Sequence, residues 1–236
     1  FSTGWAAMPE APLPDNGDQA HCFPNSATPP GSTAYYCIRF GTRRGRPELA
    51  LLFAWRAEIR RIQGRTGDPG VARLKLDWWR RELEAAQVEQ ARHPLAQALT
   101  TPMQLHRLPL QPFFQLLEAA ETDVLARTIA EDEDLWTHCR QAGGAFSELL
   151  TRVAGGAEQR LLEQARALGA YTRLTEIVTE LGADLRRERC YLPEARLARH
   201  RLSVAQLTAR EHPAALAPLL AELARDASQL LPGELP

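Results

Sequence analysis

The sequence predicts an all-α protein, a bundle of amphipathic helices around one interior. Three observations predict this class. Beginning near residue 46, Leu49, Leu52, Phe53, Arg56 and Ile59 recur at three- and four-residue steps, the period of one helix face. Beta-branched residues are sparse and never alternate over a useful length, so no strand, hairpin or repeat is expected. Proline and glycine fall between the periodic runs, where they punctuate helices.

Taken in order, residues 1–31 are rich in Pro, Gly, Asn and Ser without periodicity, which predicts a disordered or loosely packed N-terminal tail. Residues 32–236 hold the helical domain. Asp68-Pro69 is a helix start, Asp as N-cap and Pro at the first helical position. That helix runs through Val71, Leu74, Trp78 and Leu83. Adjacent side chains point about 100° apart on a helix, and of the Trp78-Trp79 pair the pattern assigns Trp78 to the core, with contact to a lipid or partner as the other reading. His93-Pro94 restarts the chain. Pro109 and Pro112 bracket the next start, leading into Phe113, Leu116 and Leu117. One helix is expected over 131–153, broken at Gly155-Gly156. The next spans 158–187, with Leu161, Leu168, Leu174, Ile177 and Leu181 as its apolar face. Tyr191-Leu192-Pro193 ends it, and a short helix and a final one near 214–230 come last.

Composition narrows the function classes. The 236 residues are 44% hydrophobic and 24% charged, ordinary for one soluble domain with a sizeable core. A net charge of −1 makes no electrostatic case for nucleic acid. Cys22, Cys37, Cys139 and Cys190 are widely spaced, which argues against a zinc site or a disulfide scaffold and for reduced thiols in a cytoplasmic setting. No apolar run reaches the roughly 18 residues that span a bilayer, and no basic start leads into an apolar stretch as in a signal peptide. The histidines show no ligand spacing. Nucleophile-elbow, P-loop and dinucleotide fingerprints are absent.

One constellation stands out. Glu176, Glu180 and Asp184 have an i, i+4, i+8 spacing, one stripe of a helix drifting about 40° over its length. They are candidate metal ligands. Spacing alone equally suits a solvated acidic face with Arg173 and Arg187 as ion-pair partners.

Four stretches in fixed order resemble the squalene/phytoene synthase family. They are Gly31-Ser-Thr-Ala-Tyr-Tyr36; Asp68-Pro-Gly-Val-Ala-Arg73 with Leu76-Asp-Trp-Trp-Arg80; His93-Pro94; and Leu174 to Asp184 continuing through Arg186, Arg187, Arg189, Tyr191 and Pro193. Together they cover roughly residues 31–232. The resemblance implies an isoprenoid-synthase-type antiparallel helical bundle around a central cavity, ending short of the family's last helices. It implies enzymes that join two prenyl diphosphates, farnesyl or geranylgeranyl, head to head. Mg2+ held by carboxylates on facing helices neutralises the leaving diphosphate.

The chain departs from that pattern. The family's first Asp-rich motif falls on Arg60, Arg61, Ile62, Gln63 and Gly64, and arginine has no lone pair for a metal. The family's preceding arginine falls on Ala57. Its second motif falls on Glu176, Glu180 and Asp184, and His138 stands where a tyrosine is usual. Glu121 and Asp123 match a further acidic pair. Arg60 and Arg61 therefore become candidates for a metal-free diphosphate clamp, or for a direct bridge from one of them to Glu180 or Asp184. Ser32, Tyr35, Arg187, Arg189 and Tyr191 are further candidate substrate contacts. The expected roles are an accessory or assembly factor with a protein partner, a prenyl-lipid binder, or an active transferase that would need Mg2+. The resemblance also implies a cytoplasmic location with peripheral membrane contact.

Overall fold

The computed structural model describes residues 22–41, 43–65, 68–125, 128–209, 214–228 and 231. Most of the expected N-terminal tail lies outside them. Residues 22–31 pack: Asn25 and Thr28 are buried and bonded to each other, and the Asn25 amide donates to the Ala50 carbonyl at 3.1 Å.

Local signals set the helices. Ser32 caps α1 (Thr33–Phe40), a helix the periodicity missed, by accepting from the Tyr35 amide at 3.1 Å. Helix α2 (Arg46–Arg65) carries the predicted apolar face. Asp68 caps α3 (Pro69–Gln87) through the Gly70 amide at 2.7 Å, with Pro69 at the first turn as expected. His93 caps α4 (Pro94–Leu105) through Nδ1. Then come α5 (Leu110–Leu125), α6 (Asp132–Cys139), α7 (Ala145–Val153), α8 (Gln159–Arg186), α9 (Glu194–Arg199), α10 (Val204–Thr208) and α11 (Leu216–Ser228). No strand forms among the described residues; a lone bridge joins Thr128 to Cys190.

Two helix phases differ from expectation. On α3 the inner face is Ala72, Leu76, Trp79, Leu83 and Ala86, while Val71, Leu74 and Trp78 are exposed. The core tryptophan is therefore Trp79, because two apolar stripes compete on this helix and the one ending in alanines packs more closely. On α8 the buried apolar side chains are Leu162, Ala170, Leu174, Ile177 and Leu181; Leu168 is exposed.

The helix expected over 131–153 is continuous but contains a five-residue π segment, Arg140–Gly144. It lies against α8. A Cβ on Gly143 would sit 2.2 Å from the Gly169 carbonyl oxygen, and one on Gly169 would sit 2.4 Å from the Gly143 oxygen. Only glycine permits this backbone approach. The extra residue of a π turn re-aims the side chains of the turns after it.

The core divides in two. One apolar cluster joins α1–α5 with α7, centred on Trp55, Leu83, Phe113 and Leu149. The other joins α6 with α8–α11, centred on Leu135, Ile177, Leu192 and Leu197. Arg196, almost fully buried, ties the second cluster by pairing with Asp132 and Asp226, each at 2.7 Å. Among the described residues no helix is long and apolar enough to cross a membrane.

Candidate functional site

The seam between the two clusters, where α2 meets α8, carries the charge. Arg56 occupies a position of the apolar stripe of α2, its guanidinium 4.5 Å from the Phe146 ring centroid. Arg60 is one turn further on. From α8, Arg173 and Glu176 face them. All three guanidiniums reach the same Glu176 oxygen, Oε2: Arg60 at 3.0 Å, Arg173 at 3.2 Å and Arg56 at 3.7 Å. Arg56 and Arg173 are nearly buried, whereas Arg60 remains half exposed.

This crowding sets the electrostatics. Burial works against a charged Glu176, but Arg56, Arg60 and Arg173 outweigh it and hold the carboxyl below its ordinary value. Burial, then the neighbouring Arg60, pulls Arg56 down to about 9 despite Glu176. Arg56 thus stays charged at neutral pH. For Arg173, burial is opposed and outweighed by Tyr191, Asp123 and Glu176, which raise it.

These residues enclose a cavity of about 40 Å³, lined by Trp55, Arg56, Arg60, Asp123 and Arg173 among others. Trp55 Nε1 and Arg173 Nε are buried donors with no hydrogen-bond partner among the described residues. Such a space holds a few waters or the tip of an anion, far below the roughly 300 Å³ or more of a pocket for a small organic ligand. Ile59, Leu116, Ala119 and Ala120 form its apolar side, and Trp55 packs edge-on against Phe113 at 5.1 Å between centroids.

A second polar group adjoins it. Arg189 donates to the Tyr191 hydroxyl at 3.1 Å and to the Asp123 carbonyl at 2.5 Å. The Tyr191 ring lies 5.1 Å from His138 and beneath the Arg173 guanidinium at 5.1 Å. His138 is buried, with neither ring nitrogen hydrogen-bonded among the described residues and Asp123 Oδ1 3.8 Å away. Burial, only partly offset by Asp123, lowers it to about 4, so it is neutral. Burial likewise raises Tyr191.

The sequence-predicted residues separate into those the fold gathers and those it does not. Arg60 bridges to the acidic stripe, but at Glu176 rather than at Glu180 or Asp184, because its side chain meets α8 one turn earlier than expected. Arg61 pairs instead with Glu58 at 2.8 Å. Glu180 is exposed, and Asp184 is buried at the end of α8 with Arg187 at 3.5 Å. Burial raises the Asp184 carboxyl. Among the described residues no three or more His, Cys, Asp or Glu side chains are placed to hold a metal ion. The expected Glu176, Glu180 and Asp184 set therefore does not assemble as a ligand cluster, since its first member is consumed by guanidiniums. Arg189 and Tyr191 lie beside the cavity. Ser32 caps α1, and Tyr35 stacks on Phe23 at 5.2 Å; neither lines the cavity. Glu121 binds Arg73 at 2.9 Å. Arg56 and Trp55 were missed as site residues. Their signal was a cation inside an apolar helical stripe.

Comparison with known proteins adds the lineage. The squalene/phytoene synthase family model matches residues 27–233. The chain belongs to the squalene/phytoene synthase family. Among curated relatives, the 15-cis-phytoene synthase of Synechococcus elongatus is 30% identical over 140 residues, covering 54% of this chain and 46% of that protein. The phytoene synthase of Thermus thermophilus is 30% identical over 155 residues, covering 63% and 50%. The chain thus spans about half the length of the curated relatives it matches. Among solved structures, squalene synthase HpnC from Alicyclobacillus acidocaldarius superposes with a TM-score of 0.76 at 23% identity, covering 86% of this chain and 77% of that one. A ligand-bound dehydrosqualene synthase gives 0.71 at 20% identity, covering 87% and 70%. Both share the isoprenoid-synthase fold with this family member.

Proposed function

We propose that this family member is an accessory protein of isoprenoid metabolism that binds the phosphate end of an isoprenoid ligand through arginines and does not perform magnesium-assisted head-to-head condensation. One observation carries the reading: Arg56, Arg60 and Arg173 converge on a single Glu176 oxygen at the seam between α2 and α8. Condensation begins when diphosphate leaves an allylic carbon, and a pair of carboxylate-held metal clusters would stabilise that departure. Here one side of the seam is cationic and the other has its carboxylate occupied. Guanidiniums can bind phosphate oxygens directly and bidentately. The Tyr191 ring lies beneath Arg173, and Asp123 favours its charge. A protein partner, for an assembly role, would read the same liganded state.

The alternative is an active transferase condensing farnesyl or geranylgeranyl diphosphate with bound Mg2+. It is favoured by the synthase names of the relatives. One assay separates the two. The purified chain is incubated with either prenyl diphosphate, Mg2+ and a nicotinamide reductant, and extracts are searched for squalene, phytoene or cyclopropyl intermediates. No product is expected, while prenyl diphosphate raises the melting temperature equally in Mg2+ and in EDTA. Turnover overturns the proposal, and a thermal shift that needs Mg2+ counts against the arginine clamp.

A further inference from the structure

The guanidiniums of the seam have more donors than one carboxylate oxygen can accept. Arg56, Arg60 and Arg173 reach Glu176 Oε2 at 3.7, 3.0 and 3.2 Å, yet a guanidinium carries five N–H groups. Arg173 Nε and Trp55 Nε1 are buried, have no hydrogen-bond partner among the described residues, and belong to side chains that line the cavity. The other acidic groups nearby have their own neighbours or stand in water. Asp123, on the cavity wall, lies 3.8 Å from Arg189; Asp184 lies 3.5 Å from Arg187; Glu180 is exposed. The cluster is also graded in depth. Arg56 and Arg173 keep 14% and 9% of their side chains exposed, whereas Arg60 keeps 48% and Glu176 31%. The carboxylate therefore stands at the wet edge of the cluster, from which a change of staggered rotamer takes it into solvent.

We infer that Glu176 is a resident anion: it occupies the place of the ligand's phosphate, and a ligand binds by displacing it. The inference rests on the arginine clamp proposed for this seam and adds how the clamp is regulated. A phosphate group presents several acceptor oxygens where the three cations now share one, so the exchange satisfies donors that the resting seam leaves idle. Departure of the carboxylate also enlarges a cavity of about 40 Å³, which alone admits only the tip of an anion. The exchange has a cost, because the guanidiniums must first release Glu176. Apparent affinity falls in proportion to the fraction of molecules that are open. With about one molecule in ten open, every anion that needs the three arginines binds about tenfold more weakly than it would to an empty cluster. A factor common to all ligands leaves their ranking unchanged. It takes weak anions such as inorganic phosphate out of the occupied range, while a tight ligand still enters.

The experiment is titration calorimetry of the full chain in EDTA, with farnesyl diphosphate and, separately, inorganic pyrophosphate. Glu176→Gln keeps the size of the side chain and removes its charge. It is expected to bind both ligands about tenfold more tightly than the parent and by the same factor, although it melts lower without ligand. Glu180→Gln removes the same charge one turn away, from an exposed side chain that acts on Arg56 through its field. Its affinities should stay within about twofold of the parent's, because an exposed charge is screened. Glu176→Asp, one methylene shorter, keeps the charge but draws it back from the arginines. It should also bind more tightly, and it carries the test if the glutamine variant does not fold, as melting curves will show. The inference is overturned, with the arginine clamp intact, if the parent binds and removing or shortening Glu176 brings no gain. It is also overturned if the gain is confined to one ligand, or if Glu180→Gln gains as much. If neither ligand binds the parent or any variant, the clamp and this inference fall together.

Discussion

Glu176 is the residue on which the seam balances. Its Oε2 receives three guanidiniums, two of them nearly buried, and removing a partner from buried charge costs more than the pair contributes. Glu176 is itself about a third exposed, so the cost is discounted for solvent screening. Glu176→Gln is expected to lower unfolding free energy by about 2 kcal/mol at pH 7. The folded carboxyl lies below its ordinary 4.5, so its contribution is fully present above that pH and is lost as pH falls through the folded value. Urea titrations at pH 7 and pH 3 should therefore show the deficit narrowing in acid. His138 makes the complementary case. Its value falls from 6.5 to about 4, so the unfolded chain binds the proton first. Stability from burying it neutral is full above pH 6.5 and declines toward pH 4, by on the order of 3 kcal/mol. His138→Phe keeps the ring against Tyr191 and should flatten that part of the stability profile, with Asp123, Arg173 and Arg189 unchanged around it. A profile identical to the parent's would mean that other groups set the acid limb.

At the scale of elements, the crossing of the π segment and α8 does the positioning. A Cβ on Gly143 would also come within 2.7 Å of Arg173 Cβ, so the contact that joins the helices also places a guanidinium of the seam. Gly169→Ala should cost several kcal/mol by overpacking backbone on backbone. Gly182→Ala meets nothing closer than 3.8 Å and should gain about 0.5–1 kcal/mol through helix propensity. Parallel denaturant melts of the two variants check both signs. Start signals such as Asp68-Pro69 and His93-Pro94 were legible because a cap is a local bond between neighbours. The phase of α3 was not, because Val71, Leu74 and Trp78 form as good a stripe as the one that packs, and only the neighbours of α3 choose between them. The π segment was also hidden, since the Gly169 it packs against lies on another helix.

For the whole molecule, the legible part of the site was its charge inversion, and the illegible part was where that charge goes. Arg60 could be matched to a lost aspartate motif by counting from Asp68, but that it meets Glu176 depends on how two apolar clusters dock. The size of the cavity depends on the same docking, with Trp55 from α2 and Leu116 from α5 among its walls. This predicts the outcome of restoring the motif. Arg60→Asp, Arg61→Asp and Gly64→Asp together return carboxylates to α2, yet Arg56 and Arg173 still hold Glu176, and Arg61 does not line the cavity. A space of about 40 Å³ does not admit a fifteen-carbon chain, which at native packing fills several hundred Å³ on the scale of ligand pockets. The triple variant should therefore remain without squalene or phytoene product, measured by extraction after incubation with farnesyl or geranylgeranyl diphosphate, Mg2+ and reductant. It should also lose the magnesium-independent thermal shift, because Arg60 is gone. Product from the triple variant would mean that the cavity widens when ligand enters, and that the charge inversion alone had silenced an otherwise competent bundle.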